Sequence, residues 1–108
     1  MVVRKVKTIN GTTVLIPESF IEHVVRKHSE ILSMLNLSRE EFLDLVQEIL
    51  RLPSEVYLDA LNVKYFLRKI NDLYLNVIVK EKIVRTSYLI SQKTYERLGR
   101  KKWLQRLF

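Results

Sequence analysis

The chain contains no cysteine, which excludes a disulfide framework and any thiolate-ligated metal site. Two glycines and two prolines are too few for long flexible linkers, so short connections and a stiff chain are predicted. No apolar run approaches the ~20 residues that span a bilayer. The opening stretch, Met1 to Gly11, lacks the apolar segment of a secretory signal. Acidic residues are also scarce, with twelve Asp and Glu against nineteen Lys and Arg, a net charge of +7. Neither a repeat nor a low-complexity tract interrupts the chain. These absences predict a soluble, cytoplasmic protein forming one domain over residues 1–108, with no cofactor, no metal and no membrane partner.

What is present is a sizeable apolar fraction, 47% of residues, enough for one core at this length. The surplus of positive charge favours association with polyanions, RNA first among them. The same charge would also serve solubility, or the ion-rich surface of a heat-adapted (thermophilic) protein. It is concentrated late in the chain. From Lys93 to Arg106, the cations Lys93, Arg97, Arg100, Lys101, Lys102 and Arg106 face the single acid Glu96.

Val2 to Ile9 and Thr12 to Ile16 are rich in β-formers and flank Asn10-Gly11, a strong hairpin signal. Pro17 opens a helix predicted to run through His28 to about Leu35. Ser38-Arg39-Glu40-Glu41 reads as a capping box, and the helix behind it carries Phe42, Leu45, Val46, Ile49 and Leu50 on one face before Pro53 stops it. Four strands are predicted next, Glu55 to Asp59, Val63 to Ile70, Leu73 to Lys80 and Ile83 to Ile90, joined by turns at Leu61-Asn62, Asn71-Asp72 and Glu81-Lys82. Thr94 to Leu98 can form a short helix ending at Gly99. The predicted architecture is α+β: after the hairpin, two helices packed on one face of an antiparallel four-stranded meander, with a short C-terminal helix.

Two segments could carry chemistry. His23 and His28 lie in the first helix, and on a continuous helix they point about 140° apart, so they do not form a metal-ligand pair. His28 falls within the apolar stripe of Phe20, Ile21, Val24, Val25, Ile31, Leu32 and Leu35. It is therefore either a core imidazole bonded to a strand group, or an acid/base facing the sheet. His23 falls on the basic face with Arg26 and Lys27, as a surface residue. In the strand from Ile83 to Ile90, alternation places Val84, Thr86, Tyr88 and Ile90 on one side and Arg85, Ser87 and Leu89 on the other. Thr86 and Tyr88 thus present two hydroxyls about 7 Å apart. Arg68-Lys69 in a neighbouring strand sends one cation to each face.

Ile21-Glu22-His23-Val24-Val25-Arg26-Lys27-His28, followed by Ser29-Glu30, resembles the "H-hydrophobic-x-x-(R/K)-H-P-E" opening helix of phage-type nuclease-like domains in the barnase/EndoU/colicin/RelE (BECR-like) superfamily of small ribonucleases. Leu52-Pro53-Ser54-Glu55-Val56-Tyr57 is similar to the proline-led strand of that group, and Val84-Arg85-Thr86-Ser87-Tyr88 to its "hydrophobic-x-T-(S/A)-Y" strand. The likeness runs over roughly residues 18 to 98, within a nuclease-like core expected at 17–98, leaving 99–108 as a basic amphipathic tail, and Ser29 stands where the proline usually does. The resemblance implies metal-independent RNA cleavage by 2′-hydroxyl attack. His28 would act as acid/base in a motif shared with His23, Thr86 and Tyr88 would position phosphate oxygens, and Arg85 or Lys69 would stabilise charge. A toxin-like role would further imply an acidic antitoxin or immunity-type partner.

The tail mixes cations with Trp103 and Phe108. Drawn as a helix, it places Trp103, Leu104, Leu107 and Phe108 on one face, suited to docking on the domain or a dimer mate. Its alternative use is RNA contact, with cations on phosphates and the indole stacked on a base. Arg26, Lys27, Arg68, Arg97, Arg100, Lys101, Lys102 and Trp103 are the candidate RNA-binding residues. Two rival functions use the same features: a non-catalytic RNA- or DNA-binding module, and a protein-interaction domain that forms a homodimer through its tail.

Overall fold

The computed structural model describes residues 1–101 and 104–108. Its elements in chain order are β1 (Val2–Lys7), β2 (Thr13–Pro17), α1 (Glu18–Lys27), α2 (Glu30–Met34), α3 (Arg39–Arg51), β3 (Glu55–Leu58), β4 (Lys64–Ile70), β5 (Leu73–Lys80), β6 (Ile83–Ser91), α4 (Gln92–Leu98) and β7 (Gln105–Arg106).

The class is α+β, but the four-stranded meander is wrong. The four strands exist as the middle of one seven-stranded mixed sheet, in the order β1-β2-β6-β5-β4-β3-β7. Two additions enlarge it. The N-terminal hairpin joins through a parallel contact, Leu15 opposite Ile83, where the Leu15 amide donates to the Lys82 carbonyl at 2.8 Å. At the other edge, β7 pairs antiparallel with Tyr57 and Leu58 of β3. The tail is therefore extended at Gln105–Arg106, not helical, because the open β3 edge supplies backbone partners that a solvated helix would not have. Four helices form rather than three, since the stretch expected to be one helix from Pro17 to Leu35 breaks at His28.

Local chemistry explains most of the boundaries. Gly11, at φ +85°, closes the first hairpin in a left-handed conformation that glycine adopts without strain. The α3 capping box is complete: the Glu41 amide donates to the Ser38 hydroxyl at 3.1 Å, and the Ser38 amide donates to the Glu41 carboxylate at 2.9 Å. The turn between β5 and β6 places Glu81 and Lys82 both at positive φ, 54° and 62°, where non-glycine residues are strained. Lys82→Gly keeps the carbonyl that receives Leu15. It should stabilise the fold by about 0.5–1 kcal/mol, read as a higher urea midpoint.

The helices cover one side of the sheet. Phe20, Ile21 and Val24 of α1, Ile31 of α2, and Phe42, Val46, Ile49 and Leu50 of α3 pack on Val14, Ile16, Val56, Phe66, Leu75, Val77 and Val79. Phe20 and Phe42 stack at 6.0 Å between ring centroids, joining α1 to α3. Arg4 adds an ionic tie from β1 to Glu40 and Asp44 of α3, both at 2.6 Å.

The second side is covered only in part. All five tyrosines gather there: Tyr57 and Tyr74 are buried with Leu67 and Ile90, and Tyr65, Tyr88 and Tyr95 are packed around them. The helix α4 folds back over one end of this face, stacking Tyr95 on Tyr74 at 4.0 Å and 5°. Among the described residues, no helix is long and apolar enough to cross a membrane.

Candidate functional site

The break at His28 builds the site. The α1 helix stops at Lys27, and His28 caps it in a non-helical conformation (φ −135°, ψ 39°) while its amide still donates to Val24 at 2.7 Å. The change of direction cancels the angular separation that a continuous helix would impose. The rings of His23 and His28 meet edge-on, 5.4 Å apart, and His28 lies 6.0 Å from the ring of Tyr88. His28 is thus not a core imidazole. Its side chain keeps 28% of its surface exposed, with Nδ1 3.7 Å from a Glu30 carboxylate oxygen. Likewise His23 is not isolated on the basic face, although Arg26 and Lys27 remain exposed in the last turn of the same helix.

The sheet supplies the rest. The pairing of β6 with β5 shifts register between Ile78 and Val79, leaving Arg85 as an extra residue. The bulge moves Val84 to the helix-side core, away from the face it was expected to share with Thr86, Tyr88 and Ile90. Tyr88 stands opposite Asn76, and Thr86 opposite Ile78, so Asn76, Thr86 and Tyr88 are near neighbours on the tyrosine-rich face. Tyr65, opposite Ile78 from the other flank, donates its hydroxyl to Asp59 at 2.8 Å. Burial, reinforced by the Asp59 bond and by the nearby charges of Asp59 and Tyr88, pushes the Tyr65 phenol up to about 12, so it stays a proton donor.

Asp59 has opposing influences. Desolvation acts to raise its pKa, but the Val63 amide, the Tyr65 hydroxyl, the Leu61 amide and the charge of Lys80 together hold it below the usual carboxylate value. A depressed folded-state pKa contributes stability above the unfolded value, and that stability is lost as pH falls through the folded one. Asp59→Ala should therefore cost about 1–2 kcal/mol at neutral pH, the scale of lost capping bonds. Measured by denaturant titration, the deficit should shrink as pH drops below the ordinary Asp range.

The expected cations do not converge on one point. Arg68 is on the helix side, pairing with Glu48 at 3.2 Å and donating to the Leu52 carbonyl, so it caps α3 rather than facing Thr86 and Tyr88. Arg85 turns back to the Lys80 carbonyl at 3.3 Å and reaches Glu81 at 4.0 Å. Lys69 is exposed opposite Tyr74, at the α4 end of the tyrosine face.

Arg97 lies on α4, while Arg100, Lys101 and Arg106 border a separate groove of about 480 Å³ between that helix and β3. Its floor is Glu55, 6% exposed, which accepts the Tyr57 hydroxyl at 2.8 Å and pairs with Arg106 at 3.2 Å. Bonding to Glu55 together with burial raises the Tyr95 phenol, and burial with the same carboxylate raises Tyr57. Lys102 and Trp103, both candidate RNA contacts, lie outside the described residues.

Three participants escaped the sequence reading. Asn76 had a faint signal, an amide in the middle of an otherwise apolar central strand, where asparagine is disfavoured. Tyr65 and Asp59 had none, because their bond crosses a turn whose geometry is visible only in three dimensions. Among the described residues, no three His, Asp or Glu side chains come together as a candidate metal cluster. Compared with known protein families, curated proteins and solved structures, the chain matches none.

Proposed function

We propose that this chain is a small metal-independent endoribonuclease that cleaves RNA through its own 2′-hydroxyl. The observation that supports this most is the His23–His28–Tyr88 cluster at the open edge of the tyrosine face, with the cations Arg26 and Lys27 beside it. One imidazole takes the 2′-hydroxyl proton while the 2′ oxygen bonds to phosphorus. The bond from phosphorus to the 5′ oxygen breaks, and the second imidazole gives that oxygen a proton. The products are a 2′,3′-cyclic phosphate and a 5′-hydroxyl. Tyr88 donates to the phosphoryl oxygens as charge accumulates, and the α1 cations draw the strand in. On this reading an acidic protein inhibitor would bind the same face.

The test is incubation of an end-labelled RNA pool with the protein in EDTA, with product ends analysed. Cyclic-phosphate ends are expected. A folded protein that binds RNA with strong salt dependence and never cuts it would overturn the reading in favour of a binding module, which the +7 charge alone would explain.

A further inference from the structure

Within the described residues, two buried side-chain atoms have no hydrogen-bond partner: Oδ1 of Asn76 and Oγ1 of Thr86. They are not scattered. Both side chains sit on the tyrosine face, Asn76 directly across from Tyr88 and Thr86 two residues before it on the same strand. Asn76 is 1% exposed, in the middle of a central strand whose other residues on this face are Tyr74, Ile78 and, at its end, Lys80. Leaving polar atoms unpaired in such a place is costly, and natural cores rarely do so without a use. Leucine and valine would fill the same volumes without that cost. By contrast, Ser87 on the opposite face is fully satisfied, its hydroxyl donating to the Asn76 carbonyl at 2.7 Å.

We infer that Asn76 and Thr86 form a subsite for a ribose 2′-hydroxyl, which would make them the residues that separate RNA from DNA. The Asn76 amide oxygen only accepts, whereas the Thr86 hydroxyl both donates and accepts, so one ligand hydroxyl can satisfy the pair and a phosphate oxygen, which has no proton to give, cannot. Both atoms are buried and without a protein partner, so an arriving hydroxyl that bonds to them satisfies groups the fold leaves unpaired. A strand that lacks the hydroxyl leaves both atoms orphaned, the situation in which a polar site rejects an analogue most strongly. The ring of Tyr88, half-exposed beside both residues and flanked by His28, has to turn aside for a ribose to reach them. The inference rests on the reading that RNA occupies this face. It does not depend on cleavage.

The experiment measures binding of single-stranded RNA and of DNA of the same sequence. It uses full-length His28→Ala protein, so that cutting does not intervene, with Asn76→Leu or Thr86→Val added. Each added change should leave the melting temperature equal or higher, lower RNA affinity about tenfold or more, and leave DNA affinity where it was. An unchanged RNA-to-DNA affinity ratio in both variants would return the two residues to the core. So would a His28→Ala protein that binds both strands equally. If the wild-type protein never cuts RNA while the ratio still collapses in the variants, the nuclease reading falls and this one stands.

Discussion

Replacing His28 by alanine is expected to lower RNA cleavage by about 10²–10⁴-fold, the range for losing a positioned acid or base. The fold should barely register the change. His28 lies at a helix end with over a quarter of its side chain exposed, its Nδ1 stands 3.7 Å from the Glu30 carboxylate, and its backbone bond to Val24 survives substitution. Thermal melting and single-turnover cleavage on the same preparation separate the two effects. His23→Ala should fall in the same range if the imidazoles divide the two proton transfers. Tyr88→Phe, which keeps the ring against His28 and removes only the hydroxyl, should lose less. Undiminished cutting by His28→Ala would show that the reaction uses other groups.

The largest effect on stability is expected at Phe42. Its ring is 1% exposed and stacks on Phe20, so it holds α3 against α1 and both against the sheet. Phe42→Ala should cost about 3–5 kcal/mol, from lost transfer energy plus the cavity left behind. A domain of this kind has about 5–15 kcal/mol in all, so equilibrium unfolding in urea should show a midpoint shifted by a large fraction of its wild-type value. Cleavage should suffer too, because α1 carries His23 and its C-cap is His28. Phe42→Leu, which refills most of the space, should restore much of each loss, a pattern a direct contact with RNA would not give.

What the sequence revealed depended on how far apart the interacting groups lie. Ser38 and Glu41 are three residues apart, and their mutual bonds were readable from a four-letter pattern. The strands from Glu55 to Ile90 were readable because each turn between them is short and carries Asn at positive φ, or the strained Glu81-Lys82 pair. The parallel join of Leu15 to Ile83 had no local trace, since nothing in a hairpin states which distant edge it will meet. The tail misleads a helical projection because Leu104, Leu107 and Phe108 satisfy one, whereas a free β3 edge decides for an extended chain.

The site was half visible for the same reason. Thr86 and Tyr88 share a strand, and alternation places them together. His23 and His28 were set apart by a projection that assumes one unbroken helix, and neither glycine nor proline marks the break between Lys27 and Glu30. The Arg85 bulge was equally hidden, because one added residue changes the face of Val84 without changing the composition of the strand. Asn76 could be noticed as an oddity in β5, but only its missing partner gives the oddity meaning.

The parallel seam between β2 and β6 also has a kinetic consequence. The hairpins from β3 to β6 close over short loops and can form early, whereas the seam joins the first quarter of the chain to the last, an encounter that pays the largest loop-closure cost in the sheet. Helix α1 leaves directly from β2, so His28 reaches Tyr88 only when that late docking is complete. Weakening the seam at Leu15 should therefore speed unfolding far more than it slows folding. On a ribosome, with Tyr88 still inside the exit tunnel, the emerging chain has both histidines but not the cluster they form with Tyr88.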